Sequence, residues 1–203
     1  MKDLDGVLIS TPEHSHSPIL KMAAEAGKDA YVEKPMGNVL AEAKAARDAV
    51  LHAKTVVQVG TQHRSEPYPN AAHEVVRSGA LGEISKVEIV WNYHGPRWRG
   101  REEVQQIREQ DTDWTKWLMT KPARPFDPQL YFEFRLYKEF SSGISDQWMS
   151  HGIDLVHWFM NLRGRRAAHE ISRRPFMSAT QTPALDMFGP GNEQGARGAC
   201  SLQ

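Results

Sequence analysis

The sequence predicts an α/β protein that opens with a partial Rossmann-like parallel sheet and continues into part of an α/β domain with an open, mainly antiparallel sheet. Three observations predict this class. Short β-rich runs alternate with helical patterns over the first hundred residues, which is typical of a parallel sheet covered by helices. The first strand is continuously apolar, as a strand buried on both faces requires. Beyond Gly82 the apolar residues alternate with polar ones, which indicates a sheet with one solvated face.

The order of elements in the first part predicts half of a doubly wound domain. The predicted elements are a strand at residues 6–10, a helix from Ser17 to Gly27, a strand at 29–33, a helix whose buried stripe starts at Leu40, a strand at 55–60 and a helix at 70–78. Such domains usually open with a glycine-rich turn and an acidic residue about 20 residues further on. Neither precedes Gly6, so we expect the chain to lack the first strands of the domain.

The second part of the sequence carries one long predicted strand and one long loop. Ile84, Val87, Ile89 and Trp91 mark the strand, and a loop rich in Trp, Arg and Pro follows from about 95 to 128. Loops of that length are usually functional or disordered, and the tryptophans favour function. We place a domain boundary near residue 79, which gives residues 1–79 as the C-terminal half of a Rossmann domain and residues 80–161 as a partial second domain.

Residues 162–203 form a tail to which the sequence assigns no fold. Arginine occurs six times there and lysine not once after Lys138, and no periodic apolar pattern remains. One interpretation is a disordered terminus. The other, which the abrupt change of composition favours, is that the reading frame changed near Asn161.

Composition excludes several classes of function. Lys plus Arg and Asp plus Glu both total 25, so no charge excess indicates a nucleic-acid partner. Cys200 is the single cysteine, which excludes an intrachain disulfide framework or a thiolate metal cluster. No run approaches the about 20 apolar residues of a membrane-spanning helix, so we expect no membrane partner. A cytoplasmic location is the default, with export left open because the native amino terminus is expected upstream.

Two clusters of residues suited to binding or catalysis follow predicted parallel strands. Ligands of open α/β sheets bind at such strand ends. Residues 11–16, Thr-Pro-Glu-His-Ser-His, are either an ordinary turn or a site for an anion or ribose at a helix start. His14 and His16 alone are too few for a metal site. In Glu33-Lys34-Pro35, the lysine is either a surface residue or a cation that stabilises negative charge on a substrate oxygen.

A third cluster lies at residues 146–158. If residues 150–160 are helical, His151 and Asp154 share a face, and the carboxylate can orient the imidazole. A histidine of near-neutral pKa can take the proton of an alcohol as hydride leaves. The alternative, a buried histidine satisfied by a neighbouring carboxylate, is equally open.

These segments together resemble the Gfo/Idh/MocA family, the glucose-fructose oxidoreductase and inositol dehydrogenase group, over residues 5 to about 160. The stretches that carry the resemblance are Asp5–Pro12 with His14 and His16, Glu33-Lys34-Pro35, Gly60–Arg64, Gly79–Ile84, Asp113-Trp114 with Trp117-Leu118, Arg124–Phe126 and His151–Trp158. The Glu-Lys-Pro tripeptide is short, but its order and spacing with the other stretches is specific.

The resemblance implies an NAD- or NADP-dependent oxidoreductase that acts on a sugar or polyol and that is a homo-oligomer at full length. By this analogy Lys34 contacts the reacting oxygen and His151 is the acid or base, with Asp146 as the third catalytic residue. The residues implied on the nicotinamide ribose side are Thr11, Pro12, His16, Glu33, Lys34 and Gln62, and those implied for substrate are Arg64, Trp114 and Asp154. Many members have aspartate four residues before the histidine, where this sequence has Gln147 after Asp146.

Because the glycine-rich turn is missing, we expect weak cofactor binding and an inactive chain. Two other classes of function remain open. One is a non-catalytic sugar-binding or oligomerisation module, in which Trp91, Trp98, Trp114 and Trp117 stack on sugar rings. The other is metal-assisted lyase or isomerase chemistry by His151, Asp154 and His157. We expect no metal in the leading interpretation.

Overall fold

The computed structural model of the chain describes residues 3–93, 99–162, 169–172 and 196–202. These residues divide between two compact units, Met1–Gly60 with Trp98–Asp146 and Thr61–Arg97 with Gln147–Gln203. The helix at Pro67–Arg77 packs against the helix at Met149–Phe159. The predicted boundary near Gly79 therefore falls inside the second unit. Both units are therefore discontinuous in sequence.

The first unit contains the parallel sheet that the sequence predicts, which confirms the α/β class. Its elements are β1 (Gly6–Ile9), α1 (Glu13–Glu25), β2 (Asp29–Glu33), α2 (Leu40–Ala53) and β3 (Val57–Gly60). The strand order is β1-β2-β3, with both pairs parallel. Residues Ile9, Leu20, Ala30, Val32 and Ala46 form the buried core of this layer. Leu40, predicted for the buried stripe of α2, is instead 71% exposed at the start of that helix.

Helix α1 begins five residues earlier than the sequence indicates, with its N-cap at Pro12 and not at Ser17. The prediction of Ser17 as the N-cap is wrong, because the helix starts at Glu13 and Pro18 lies inside it. The additional turn is stabilised by contacts distant in sequence that no local pattern reveals. His14, His16 and Ser17 hydrogen-bond to backbone carbonyls of residues 117, 35 and 36. These bonds offset the helical hydrogen bond that Pro18 cannot donate.

The described part of the long loop is a packed segment of the first unit. It contains short 3-10 helices at Glu102–Gln106 and Glu109–Asp111 and the helix α4 (Trp114–Leu118). Beyond it come α5 (Pro128–Phe132), a 3-10 turn at Phe134–Leu136 and the helix α6 (Ile144–Gln147). An aromatic-rich core of Trp114, Leu118, Leu130, Phe134 and Phe140 joins α4, α5 and the 3-10 turn at Phe134–Leu136.

The second unit combines two helices with an antiparallel sheet. Its elements are α3 (Pro67–Arg77), β4 (Val87–Tyr93), α7 (Met149–Phe159), β5 (His169–Ser172) and β6 (Ala196–Leu202), with a 3-10 turn at Gln62–Ser65 before α3. Strand β6 lies between β4 and β5 and is antiparallel to both. Two stretches of the unassigned tail thus form strands. Residues 163–168 and 173–195, and with them the predicted disorder or frame change, lie outside the described residues.

Candidate functional site

The carboxyl ends of β1 and β2 bring two of the predicted clusters to one edge of the parallel sheet. Ile9 pairs with Val32 in the register of the two strands. The segment 10–12 therefore leaves the sheet beside Glu33-Lys34-Pro35, whose Lys34–Pro35 peptide bond is cis. Thr11 is exposed, whereas Pro12, Glu33 and Lys34 are half-buried. This is the edge at which open α/β sheets bind ligands.

His16 connects these two segments through its ring. Its Nδ1 lies 2.7 Å from the carbonyl oxygen of Pro35, and its Nε2 lies 2.6 Å from the carbonyl oxygen of Thr11. The side chain is 3% exposed. Because both ring nitrogens face protein carbonyls, His16 positions the backbone on either side of the edge, and its ring is not directed at a ligand.

Lys34 lies in a group of ionisable side chains in which Glu13 and Arg135 join the expected Glu33 and Asp146. Burial lowers the pKa of its ammonium, and the nearby charges of Glu13, Glu33 and Asp146 oppose that effect. Arg135 acts in the same direction as burial. A partly desolvated ammonium among carboxylates is suited to stabilise negative charge on a substrate oxygen.

Glu13, in the first turn of α1, is a member of this group that sequence reasoning missed. The side chain is 2% exposed, and the Ser142 backbone N–H donates to its Oε1 at 3.1 Å. Burial raises the pKa of this carboxyl to about 7. The only signal in the sequence was its place beside His14 and His16 after β1, which does not reveal burial.

Asp146 lies in α6, within electrostatic reach of Lys34. Burial raises the pKa of this carboxyl, while the Ser142 hydroxyl, Lys34 and His16 favour its ionised form. Because Gln147 occupies the position where many family members have the aspartate, the sequence left open whether Asp146 takes that role or the acid is supplied differently. The structure places the carboxylate of Asp146 near the lysine.

His14 is a core residue. Its Nε2 donates to the carbonyl oxygen of Trp117 at 2.8 Å, and its ring contacts the rings of Trp117, Phe134 and Phe140 with centroid distances of 4.8, 6.4 and 4.9 Å. Burial lowers the pKa of this imidazole to about 4. His14 is therefore neutral at physiological pH and joins α1 to the aromatic core.

Trp114, implied as a substrate residue, lies in the same aromatic core. It is 8% exposed, stacks on Trp117 at 5.0 Å, and donates its indole N–H to the carbonyl oxygen of Arg124. This arrangement leaves little of the ring to stack on a sugar. Of the other tryptophans considered for sugar stacking, the side chain of Trp91 and the whole of Trp98 lie outside the described residues.

In the second unit, Arg64 and Asp154 form a two-point ion pair. The Arg64 Nε and Nη2 donate to the two carboxylate oxygens of Asp154 at 2.7 and 2.6 Å, and the guanidinium lies 5.6 Å from the centre of the Trp158 ring. Both carboxylate oxygens of Asp154 therefore accept from Arg64, a partner that the sequence analysis did not assign to it. Arg64 remains partly accessible, with its side chain 41% exposed.

His151 lies near the start of α7, as the sequence predicts. Its ring meets the ring of His63 edge to face, with centroids 4.4 Å apart. Gln62, the preceding residue on the 3-10 turn, is exposed. Four of the predicted site residues thus belong to the second unit. They are Gln62, Arg64, His151 and Asp154.

Within the described ranges, no three His, Cys, Asp or Glu side chains are arranged to hold a metal ion. In the same ranges no helix has both the length and the apolar character to cross a membrane.

Comparisons with known proteins indicate one family. A family model described as an oxidoreductase family with an NAD-binding Rossmann fold, GFO_IDH_MocA, matches residues 1–61. Levoglucosan dehydrogenase of Pseudarthrobacter phenanthrenivorans is 39% identical over 82 residues, which are 40% of this chain and 21% of that protein. The scyllo-inositol 2-dehydrogenase (NAD(+)) of Bacillus subtilis is 36% identical over 80 residues, which are 39% of this chain and 23% of that protein.

Solved structures show the same fold over more of the chain. The inositol dehydrogenase homologue from Azotobacter vinelandii complexed with NAD+ superposes with a TM-score of 0.61 at 21% identity, covering 98% of this chain and 45% of that one. The oxidoreductase domain protein from Kribbella flavida has a TM-score of 0.57 at 25% identity, covering 87% and 40%. The chain spans less than half the length of these proteins.

Proposed function

We propose that the protein transfers hydride between NAD or NADP and a hydroxyl or carbonyl carbon of a sugar or polyol, since a model of the GFO_IDH_MocA oxidoreductase family matches residues 1–61. The observation that carries the proposal is Lys34. It stands at the carboxyl end of β2 with its ammonium partly desolvated among Glu13, Glu33 and Asp146. A cation held there stabilises the negative charge that develops on the substrate oxygen as hydride leaves or arrives.

The residues present fit the nicotinamide ribose end of a dinucleotide. The exposed Thr11 and the half-buried Glu33 offer a hydroxyl and a carboxylate at adjacent strand ends, groups that can bond ribose hydroxyls. Gly60 lies beside them, and a Cβ there would lie 2.9 Å from Glu33 Oε2. When bound, the nicotinamide supplies the hydride chemistry. His16 contributes by holding the Thr11 and Pro35 backbone in place.

The pyrophosphate end has weaker support. The turn between β1 and α1 reads Ser-Thr-Pro, and residues 3–60 as described contain no glycine-rich turn before a helix. Such a turn lets backbone N–H groups approach the phosphates. Support for dinucleotide binding among the described residues therefore comes from the nicotinamide ribose end.

The roles of His151 as acid or base and of Gln62 beside the cofactor rest on the family resemblance. Arg64 is the stronger substrate candidate of the second unit, since Asp154 fixes its guanidinium while part of it stays accessible. A full-length homo-oligomer is also inferred from the resemblance, and light scattering after gel filtration tests it.

The experiment is a label-transfer assay with the 203-residue chain. Cyclitols and sugars deuterated at the carbinol carbon are incubated with NAD+ or NADP+, and mass spectrometry detects deuterium in the nicotinamide over hours, which suits slow turnover. We expect transfer from at least one cyclitol or sugar. Polyol binding without nucleotide binding or transfer would instead favour a non-catalytic sugar-binding module, and binding of neither would contradict the proposal.

A further inference from the structure

The two carboxylate oxygens of Glu13 have unequal surroundings. Oε1 accepts the Ser142 backbone N–H at 3.1 Å. Oε2 is fully buried and has no hydrogen-bond partner in the part of the chain that the structure describes. A buried charged oxygen without a donor is far more costly than a buried neutral group. The Ser141 side chain bonds to the same carboxyl and favours its ionised form, whereas the unpartnered Oε2 favours a proton at that oxygen.

The charges around Glu13 come from several elements packed at this place. Asp146 of α6 opposes ionisation of Glu13, whereas Arg135 of the 3-10 turn at Phe134–Leu136 favours it. Lys34 after β2 interacts with the same carboxyl. The charged and titratable groups that face Glu13 or Lys34 are Glu33, Arg135 and Asp146, with His16 facing Asp146. Two cations and up to three carboxylates therefore share a partly dry space.

We propose that Glu13, a buried carboxyl with one unpartnered oxygen, is a positioning residue for Lys34. By gaining or losing its own proton, Glu13 switches the electrostatic support of the lysine ammonium. The inference rests on the proposed function in one respect, that Lys34 is the group that meets the substrate oxygen. Loss of the proton from Oε2 to solvent leaves a carboxylate near Lys34 and stabilises the ammonium. Uptake of the proton removes that support, and no electrons move in either direction.

Burial is the largest influence on the pKa of both Glu13 and Lys34, which supports the proposed role of Glu13. It raises the pKa of Glu13 to about 7, so the carboxyl exchanges its proton in the physiological range. The same burial lowers the pKa of Lys34, and Glu13 is the foremost group that opposes it. The charge of Glu13 therefore sets how firmly Lys34 keeps its own proton.

Nuclear magnetic resonance titration of the whole chain tests the proposal without cofactor or substrate. Glutamate side chains carry ¹³C at the carboxyl carbon, and lysine amines are ¹³C-methylated so that each titrates visibly. Glu13→Gln assigns the Glu13 signal and keeps the acceptor for Ser142 N–H. Glu25→Gln, an exposed position on the same helix, is the matched control.

We expect one glutamate signal, absent in Glu13→Gln, to titrate near pH 7, and the Lys34 midpoint to fall by about one pH unit in that variant. Glu25→Gln should leave Lys34 unchanged. A Glu13 signal that titrates near the ordinary glutamate value, or a Lys34 midpoint unaffected by Glu13→Gln, would overturn the proposal. If Glu13→Gln fails to fold, the wild-type spectrum still tests the proposal. The proposal is refuted if no glutamate carboxyl of the wild type titrates near pH 7. Label transfer is measured separately, so failure here and failure of the proposed function are distinguishable.

Discussion

The buried His14 makes the stability of the first unit sensitive to acid. Burial lowers the pKa of its imidazole from 6.5 to about 4, so the unfolded chain binds a proton between these values and the folded chain does not. Its stability contribution is fully present above pH 6.5 and is lost as the pH falls towards 4. At about 1.4 kcal/mol for each tenfold change in proton affinity, the loss reaches about 3 kcal/mol.

His14→Gln removes this dependence. The variant is less stable than the wild type at pH 7.5, because the ring contacts with Trp117 and Phe140 are lost. The difference in the free energy of unfolding between the two proteins shrinks as the pH falls to 4.5. Only the wild type has a buried imidazole that takes up a proton on unfolding, so only the wild type loses stability in this way. Urea unfolding followed by tryptophan fluorescence at several pH values measures it, with the exposed His52→Gln as control. A constant difference across this range would show that His14 titrates normally and refute the reasoning.

Two further substitutions test the packing of each unit. Gly37→Ala should destabilise the chain by about 1–3 kcal/mol, because the added Cβ would lie 2.1 Å from Ser17 Oγ. Adding Ser17→Ala should restore part of the lost free energy of unfolding, measured by urea unfolding. Additive losses from the two substitutions would contradict this. Arg64→Lys should cost about 1 kcal/mol or less, since one exposed donor replaces a two-point contact with Asp154. A double-mutant cycle with Asp154→Asn measures the coupling, and no coupling would argue against the ion pair in solution.

The sequence predicted the parallel sheet well, because its signals are local. The strand at 29–33 agrees with β2 (Asp29–Glu33) in both bounds, and the third strand agrees within two residues. Apolar runs between turn residues suffice to locate buried strands. The Glu33-Lys34-Pro35 segment was likewise found at a strand end, where parallel topology brings it beside Thr11.

The remaining features depend on contacts that no window of sequence contains. The partner of His14 lies 103 residues away, and the donor to Glu13 lies 129 residues away. The early start of α1 and the burial of Glu13 follow from these long-range contacts. Asp154 was expected to serve a histidine on its own helix, yet an arginine from before α3 binds it. In the tail, β6 pairs with β4 from far earlier in the chain, and β5 pairs with β6.

The position of Lys34 at the reacting oxygen is the claim on which the function depends. The most direct measurement is deuterium transfer from a labelled polyol to the nicotinamide by Lys34→Ala, compared with wild type and with Lys44→Ala, an exposed lysine of α2. We predict that Lys34→Ala transfers label at least about 100-fold more slowly, as loss of one charge-stabilising donor does elsewhere, while Lys44→Ala matches the wild type. Transfer by Lys34→Ala at the wild-type rate would contradict the account.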